Sequence, residues 1–328
     1  MKNKQAVIVS TLVLALAAPA LSEVKYGGYL SLEYIKGQAE SSFPHGSIEN
    51  PLVGFLAAGQ LGEKFAFTVE VRALGVTEFD LDQAWAGFVP SQAFSVRVGL
   101  YLVPFGAWNT ASRPHETLLI RTPLNLEFLY PSSWRDLGVL VQGQIGALSY
   151  AAYLGNGLAE GETSAAIQQF RDNNTDKSKG GRLGLLIGQG FKAGVSYYTG
   201  KYDAQDMRDL TLEGADLSWA ADQWEVHGEY TKAFLENPQP YERGTSEGYA
   251  IWACMGFKSL QPVGSFQKLK FTDPFHNGGI ALDQSRWTLG LRYVLSQTLF
   301  IKAEYDWNNE KGTVLKNNQW QVQAGLSF

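Results

Sequence analysis

The chain alternates between oily and wet residues from one end to the other. At its close, Trp320, Val322, Ala324, Leu326 and Phe328 share one face of an extended chain, and Gln319, Gln321, Gln323 and Ser327 share the other. Successive side chains of a strand point to opposite sides, so this spacing predicts a strand with one apolar and one polar face. The pattern recurs. Trp287, Leu289, Leu291 and Tyr293 oppose Arg286, Thr288 and Arg292; Leu299, Ile301, Ala303, Tyr305 and Trp307 oppose Lys302, Glu304 and Asp306. Phe65, Phe67, Val69 and Val71 oppose Thr68, Glu70 and Arg72, and Trp224, Val226 and Tyr230 oppose Glu225, His227 and Glu229. About sixteen such segments of about ten residues each follow one another, as in membrane-spanning barrels. They begin near Tyr26, Pro51, Phe65, Phe79, Ala93, Ser133, Leu148, Gly180, Phe191, Arg208, Gln223, Thr245, Gly264, Gln284, Leu299 and Asn318. The second, fourth, tenth and twelfth alternate poorly.

A water-soluble all-β protein would also alternate, with its oily faces turned inward. Three features turn them outward here. The wet faces carry charges on nearly every strand, which calls for a hydrated interior. The oily faces carry aromatics near their ends (Trp287 and Tyr293; Trp224 and Tyr230; Trp320 and Phe328), as interfacial girdles do. The terminal Phe328 looks like the signal read by the bacterial barrel-insertion machinery. In hydrocarbon an open sheet edge leaves backbone groups unpaired, so the sheet must close. The expected fold is therefore all-β: a closed antiparallel transmembrane barrel spanning residues 23–328 in the outer membrane, in contact with its lipid.

The first 22 residues read as a secretory leader. Lys2 and Lys4 precede an apolar run from Ala6 to Leu21, and Ala20-Leu21-Ser22 offers small residues at a cleavage site. The run is short of the ~20 residues a spanning helix needs. Lys+Arg 27 against Asp+Glu 32 gives a net charge of −5, which disfavours a nucleic-acid partner. A single cysteine excludes an intramolecular disulfide framework and a cysteine-based zinc cluster.

Tight connections at Gly62-Glu63-Lys64, Pro90-Ser91-Gln92, Gly146-Ala147, Gly188-Gln189-Gly190, Ala221-Asp222 and Ser296-Gln297 alternate with long polar ones at 36–50, 104–132, 156–179, 235–244 and 272–283. In outer-membrane barrels the short turns are periplasmic. The segment 104–132, after the fifth strand, is too long for a turn and holds Pro104, Pro114, Pro123 and Pro131. Folded inward, it would bring Arg113, His115, Glu116, Arg121 and Glu127 to the channel.

Val98-Gly99-Leu100-Tyr101-Leu102-Val103-Pro104-Phe105-Gly106 resembles the strand ending in Pro-Phe-Gly of the phosphate-selective porin O/P family. Arg135-Asp136-Leu137-Gly138, Gly143, and Leu148-Ser149-Tyr150 through Asn156-Gly157 resemble that family's next hairpin. The resemblance implies a sixteen-stranded, usually trimeric diffusion channel whose fifth connection folds into the lumen and sets the constriction. The family's arginine ladder and lysine cluster for phosphate do not align here residue by residue.

Facing assignments put Arg72, Arg97, Arg182, Lys192, Lys268, Lys270, Arg286, Arg292 and Lys302 on the lumen wall, against Glu33, Glu70, Glu225, Glu229, Glu304 and Asp306. This basic margin predicts a wall that favours small hydrophilic or anionic solutes. G-x-S-x-G and H-E-x-x-H are absent, and His45, His115, His227 and His276 have no metal spacing. The sequence therefore predicts neither an enzyme nor a cofactor. The competing readings are a plugged structural or adhesive barrel and a barrel specific for a larger solute.

Overall fold

The computed structural model describes residues 21–75, 78–161, 167–257, 259–276 and 283–328. Residues 1–20 of the expected leader lie outside the described residues. Sixteen strands form one closed barrel: β1 (Leu21–Gly37), β2 (Ser47–Leu61), β3 (Phe65–Leu74), β4 (Glu78–Ser91), β5 (Phe94–Leu102), β6 (Arg135–Ile145), β7 (Leu148–Gly155), β8 (Ser178–Ile187), β9 (Phe191–Lys201), β10 (Asp209–Ala221), β11 (Trp224–Leu235), β12 (Gly244–Met255), β13 (Leu260–Thr272), β14 (Asp283–Val294), β15 (Leu299–Glu310) and β16 (Gln319–Ser327). Each pairs antiparallel with its neighbours in sequence, and β1 pairs with β16 through Tyr29↔Ser327 to Gly37↔Gln319. Phe328 and Gly28 exchange backbone hydrogen bonds of 2.9 Å just beyond that register. The ring leaves no strand edge in lipid, which is the condition for a sheet to span hydrocarbon.

The oily faces look outward. Trp287 is 58% exposed and Leu289 61%, whereas Thr288 between them is 2% exposed. Trp224, Trp219, Phe65, Phe88 and Tyr293 ring the short-turn end, and Tyr197, Tyr230, Tyr249, Trp287 and Trp307 ring the other; all are exposed. These two aromatic belts bound an apolar band, as the interface of a bilayer requires.

The connection from β5 to β6, residues 103–134, packs against the inward faces of strands on both sides of the barrel. It holds a 3₁₀ turn (Asn109–Ala111) and one short helix, α1 (Leu124–Phe128), which contacts β11, β12 and β13. Its apolar side chains Phe105, Trp108, Leu126, Leu129, Tyr130 and Trp134 join Tyr198, Leu212, Leu235, Trp252 and Phe271 of the wall in one buried cluster. The apolar core of the molecule thus sits inside the barrel, between this segment and β9–β13, and continues onto Trp85, Tyr101, Leu140 and Tyr153 of β4–β7. α1 approaches β12 closely because Gly248 has no side chain: a Cβ there would stand 2.8 Å from the Asn125 Cβ.

Two lysines contradict the sequence-based facing. Lys268 and Lys270 lie on the outward face of β13, in step with Phe266, while Val263, Gln267, Leu269 and Phe271 are buried inward. Val263, Leu269 and Phe271 face inward because the internal segment covers them, so the polar-in rule fails there, while Gln267 accepts from the segment's Leu124 N–H. Lys270 pairs in register with Glu247 and Asp283, and the Lys268 ammonium stands 4.0 Å from Asp283. This polar patch lies on the long-loop side of the outer aromatic belt, where charges reach the headgroup layer.

Candidate functional site: the lumen and its waist

The internal segment is tied down at its base before it crosses the lumen. Asn109 is 1% exposed; its amide donates to the carbonyls of Val103 and Trp134 at 2.8 Å each, and its oxygen accepts from Trp134 N–H at 2.8 Å. The Pro104-Phe105-Gly106 turn then bends the chain inward. Gly106 has φ +65°, and a Cβ there would stand 2.6 Å from a Glu229 carboxylate oxygen. Only glycine meets both conditions. Its N–H donates to Ser196 Oγ at 3.1 Å, and Ala107 N–H donates to Glu229 at 2.7 Å.

The far side is anchored to β13, β14 and β15. Lys302 Nζ donates to Pro114 O, Thr117 Oγ1 and Leu119 O at 2.8, 3.0 and 3.3 Å. Glu304 accepts from Ile120 N–H at 3.0 Å, and Gln267 from Leu124 N–H at 3.0 Å. Arg286 reaches Thr122 O and Glu127, both at 3.4 Å, and Arg292 donates to His115 O at 3.0 Å. Lys302 and Arg286 do face inward, at 1% and 3% exposure. The segment covers them, so they hold it instead of facing the water.

A narrow waist forms where the segment meets β1, β3, β4 and β6. Arg113 makes a two-pronged pair with Glu70, Nε to Oε1 at 2.8 Å and Nη2 to Oε2 at 2.7 Å, a geometry that fixes orientation as well as charge. Tyr29 donates to Glu70 at 3.1 Å, and Arg113 also meets Glu116 at 3.0 Å. Beside them Asp82 is shared by Arg72 at 3.2 Å and Arg135 at 3.0 Å. His115 packs against the Tyr29 ring at 5.5 Å, and Arg121 pairs with Glu127 at 2.8 Å. A cavity of about 20 Å³ lies among Tyr29, Glu70, Arg72, Asp82 and Arg113, room for little more than one water.

Larger spaces lie on either side of this waist. Toward the long loops, cavities of about 350 and 240 Å³ share Glu33, Asn50, Ile120 and Thr122 as lining. Toward the short turns, a cavity of about 550 Å³ is lined by Arg97, Arg113 and Arg182 with Gln83, Gln142 and Tyr150, and, among the described residues, by no carboxylate. The waist shares Leu52, Ser112 and Pro114 with the first group and Leu102, Thr110 and Arg113 with the second, so the spaces follow one another along the wall. The Arg97 guanidinium rests 4.1 Å over the Trp85 ring, and Arg182 pairs with Asp216.

Sequence reasoning missed Arg135, Asp80, Asp82 and Asp216. Arg135 opens the Arg135-Asp136-Leu137-Gly138 motif, and its charge has no facing partner in the sequence pattern. Asp80 and Asp82 lie on β4, where a register shift opposite Glu70 and Val71 breaks the alternation. With Lys268 and Lys270 outside and these groups inside, the basic margin of the wall disappears.

A family model described as Gram-negative porin matches residues 6–327. An uncharacterised protein of Aquifex aeolicus (strain VF5) is 24% identical over 215 residues, a stretch covering 62% of this chain; the chain spans less than half of that relative, 44%. Among solved structures, Salmonella typhi OmpF in complex with daunomycin superposes with a TM-score of 0.71 at 13% identity, over 93% of this chain and 97% of that one. The trimer form of OmpT, an outer membrane protein of Vibrio cholerae, gives 0.69 at 12% identity, over 93% and 99%. The anion-selective porin from Comamonas acidovorans gives 0.67 at 12% identity, over 93% and 97%. Closed ring, outward aromatic belts, internal spaces lined by polar side chains and a family match over nearly the whole length agree: the chain belongs to the Gram-negative porin family and is a channel of the bacterial outer membrane.

Proposed function

We propose that the channel passes small hydrophilic solutes by passive diffusion along the wall formed by β1–β8, with segment 103–134 setting its constriction at Tyr29, Glu70, Arg72, Asp82 and Arg113. The sequence of linked cavities through that waist carries this reading. A leader comprising residues 1–22 directs export, the insertion machinery reads Phe328, and three copies assemble into the working unit. Support for the trimer comes from the OmpT trimer form. Three equal conductance steps in a planar bilayer are expected; complete absence of conductance would favour a plugged barrel.

The solute preference we propose is for small anions, set in the short-turn chamber. Among the described residues its lining holds Arg97, Arg113 and Arg182 and no acid; Arg113 and Arg182 are paired with Glu70 and Asp216, so the preference rests mainly on Arg97, since a cation on a narrow polar wall lowers the cost of anion entry. The long-loop side is mixed, with Glu33, Glu127 and Arg121. The motifs that suggest a phosphate-selective subtype have backbone roles that account for them. Pro104-Phe105-Gly106 turns the chain inward, and Asp136 accepts from the N–H groups of Leu137, Asn156 and Gly157 at 2.8, 2.9 and 3.0 Å. The proposed preference is therefore for anions broadly. A reversal potential of anionic sign in a KCl gradient is the expected result, and a cationic sign would refute it.

A further inference from the structure

Four of the long connections meet in one buried polar knot at the mouth. His276, in the β13–β14 connection, is 2% exposed. Its Nδ1 lies 2.7 Å from Asp273 Oδ2, and its Nε2 lies 3.0 Å from Glu160 Oε1 in the β7–β8 connection. Glu160 also pairs with Arg208 in the β9–β10 connection, and its N–H donates to Tyr202 O at 2.9 Å. Arg208 Nε stands 3.7 Å from Asp203, which also accepts from the N–H groups of Met207 and Arg208 at 3.1 and 2.7 Å. In the β11–β12 connection, Asn237 donates to Asp273 at 2.7 Å. The rings of Tyr202 and Phe275 flank the imidazole at 6.0 and 4.7 Å.

Both ring nitrogens of His276 face carboxylate oxygens, which only accept hydrogen bonds. A neutral imidazole carries a single N–H. It can therefore satisfy one of these two contacts and turns a lone pair toward the other. The pair of contacts is complete only with the imidazolium.

We propose that His276 is a proton-operated fastener: protonated, it ties the β13–β14 connection, which Asp273 joins to β11–β12, to Glu160 of the β7–β8 connection, which Arg208 joins to β9–β10, and loss of its proton to solvent breaks that tie between the two pairs. Burial by itself pushes the imidazole down, but Asp273 and Glu160 outweigh it, so the group holds its proton above the ordinary histidine range. Burial pushes Asp273 and Glu160 up; for Asp273, His276, the Phe275 N–H and Asn237 outweigh it, and for Glu160, Arg208 and His276 do, so both stay charged below the ordinary carboxylate range. A raised histidine stabilises the knot at low pH and loses that contribution as pH rises through its folded value; the depressed carboxylates lose theirs as pH falls through their own folded values. The knot is therefore strongest between the unshifted positions of the carboxylates and the histidine, about 4 and about 6.5, and weakens above that as pH rises toward the raised histidine value.

Amide hydrogen exchange of the detergent-solubilised full-length protein tests this, comparing wild type with His276→Gln at each pH from 5 to 9 so that intrinsic exchange chemistry cancels. In the wild type, protection of the Glu160, Met207 and Arg208 amides should fall roughly tenfold in one step above the ordinary histidine range, as expected for losing a charge-assisted hydrogen bond. In His276→Gln, protection should be low throughout, with no step. Glu160→Gln, which removes one of the two carboxylates, should move the step to lower pH at the Met207 and Arg208 amides. A step retained in His276→Gln, or the absence of a step in the wild type, would overturn the proposal.

Discussion

Two stretches of the inner wall obey different rules. Over β1–β8 the inward side chains include Ser31, Glu33, Glu70, Gln83, Ser95, Arg97, Gln142 and Arg182, and the cavities lie against them. Over β9–β13 they include Tyr198, Leu210, Leu212, Ala233, Leu235, Ala250, Leu269 and Phe271, each fully buried under segment 103–134 or its neighbours. Every strand of both stretches is paired on both sides. The difference lies in what the inner face meets: polar-lined cavities along β1–β8, interrupted where Trp85, Tyr101, Leu140 and Tyr153 join the buried cluster, and a piece of the chain itself over β9–β13. A barrel of this kind needs alternation only where lipid faces water, and a strand between lipid and an apolar plug has no reason to keep it.

The sharpest way to break this contrast is to unpack the covered stretch. Trp134 is fully buried in the cluster, so Trp134→Ala should cost about 3–5 kcal/mol. The folded band in unboiled gel samples should be lost at a clearly lower temperature, and single-channel current should become noisy. Lys302→Met removes the donor to Pro114 and Leu119 carbonyls that lie within the barrel. The loss should be about 2–3 kcal/mol, since a buried charged hydrogen-bond donor is removed and acceptors are left unmet. Conductance should rise as the segment loosens from β15. On the open stretch, Arg97→Gln should change stability by no more than about 1 kcal/mol, the scale of its contact with Trp85, while moving the reversal potential toward cations. Lys270→Gln should change neither quantity, because its side chain lies outside the barrel; a shift in selectivity would return this residue to the wall.

Much of the fold was legible in the chain. About sixteen strands are expected and sixteen form the barrel; starts such as Phe65, Leu148, Phe191 and Leu299 agree to the residue, whereas β1, β2 and β13 begin at Leu21, Ser47 and Leu260, ahead of the expected Tyr26, Pro51 and Gly264. What the period could not reveal is where the internal segment lies. Leu269 and Phe271 look like lipid-facing residues until something apolar is placed inside the ring, and their neighbours Lys268 and Lys270 are then misassigned to the lumen. β10 and β12 alternate poorly for the same reason. β4 fails through its irregular register, a backbone event with no side-chain signature. At the waist, Arg113 was readable as a charge on a long connection and Glu70 as a lumen-wall acid, but their pairing was not, because it depends on where the 32-residue excursion from 103 to 134 touches a strand far earlier in sequence.

The account rests on one stretch of the inner wall being wet and another covered. Two single cysteines placed on inward positions in a Cys254→Ser background probe this most directly, using a charged thiol reagent that cannot enter lipid and the intact protein in a planar bilayer. Gln142→Cys lines the short-turn chamber and should react promptly, with a fall in current. Ala250→Cys lies under the segment at 0% exposure and should stay unmodified while the current holds. Rapid modification of Ala250→Cys together with an inert Gln142→Cys would contradict the account.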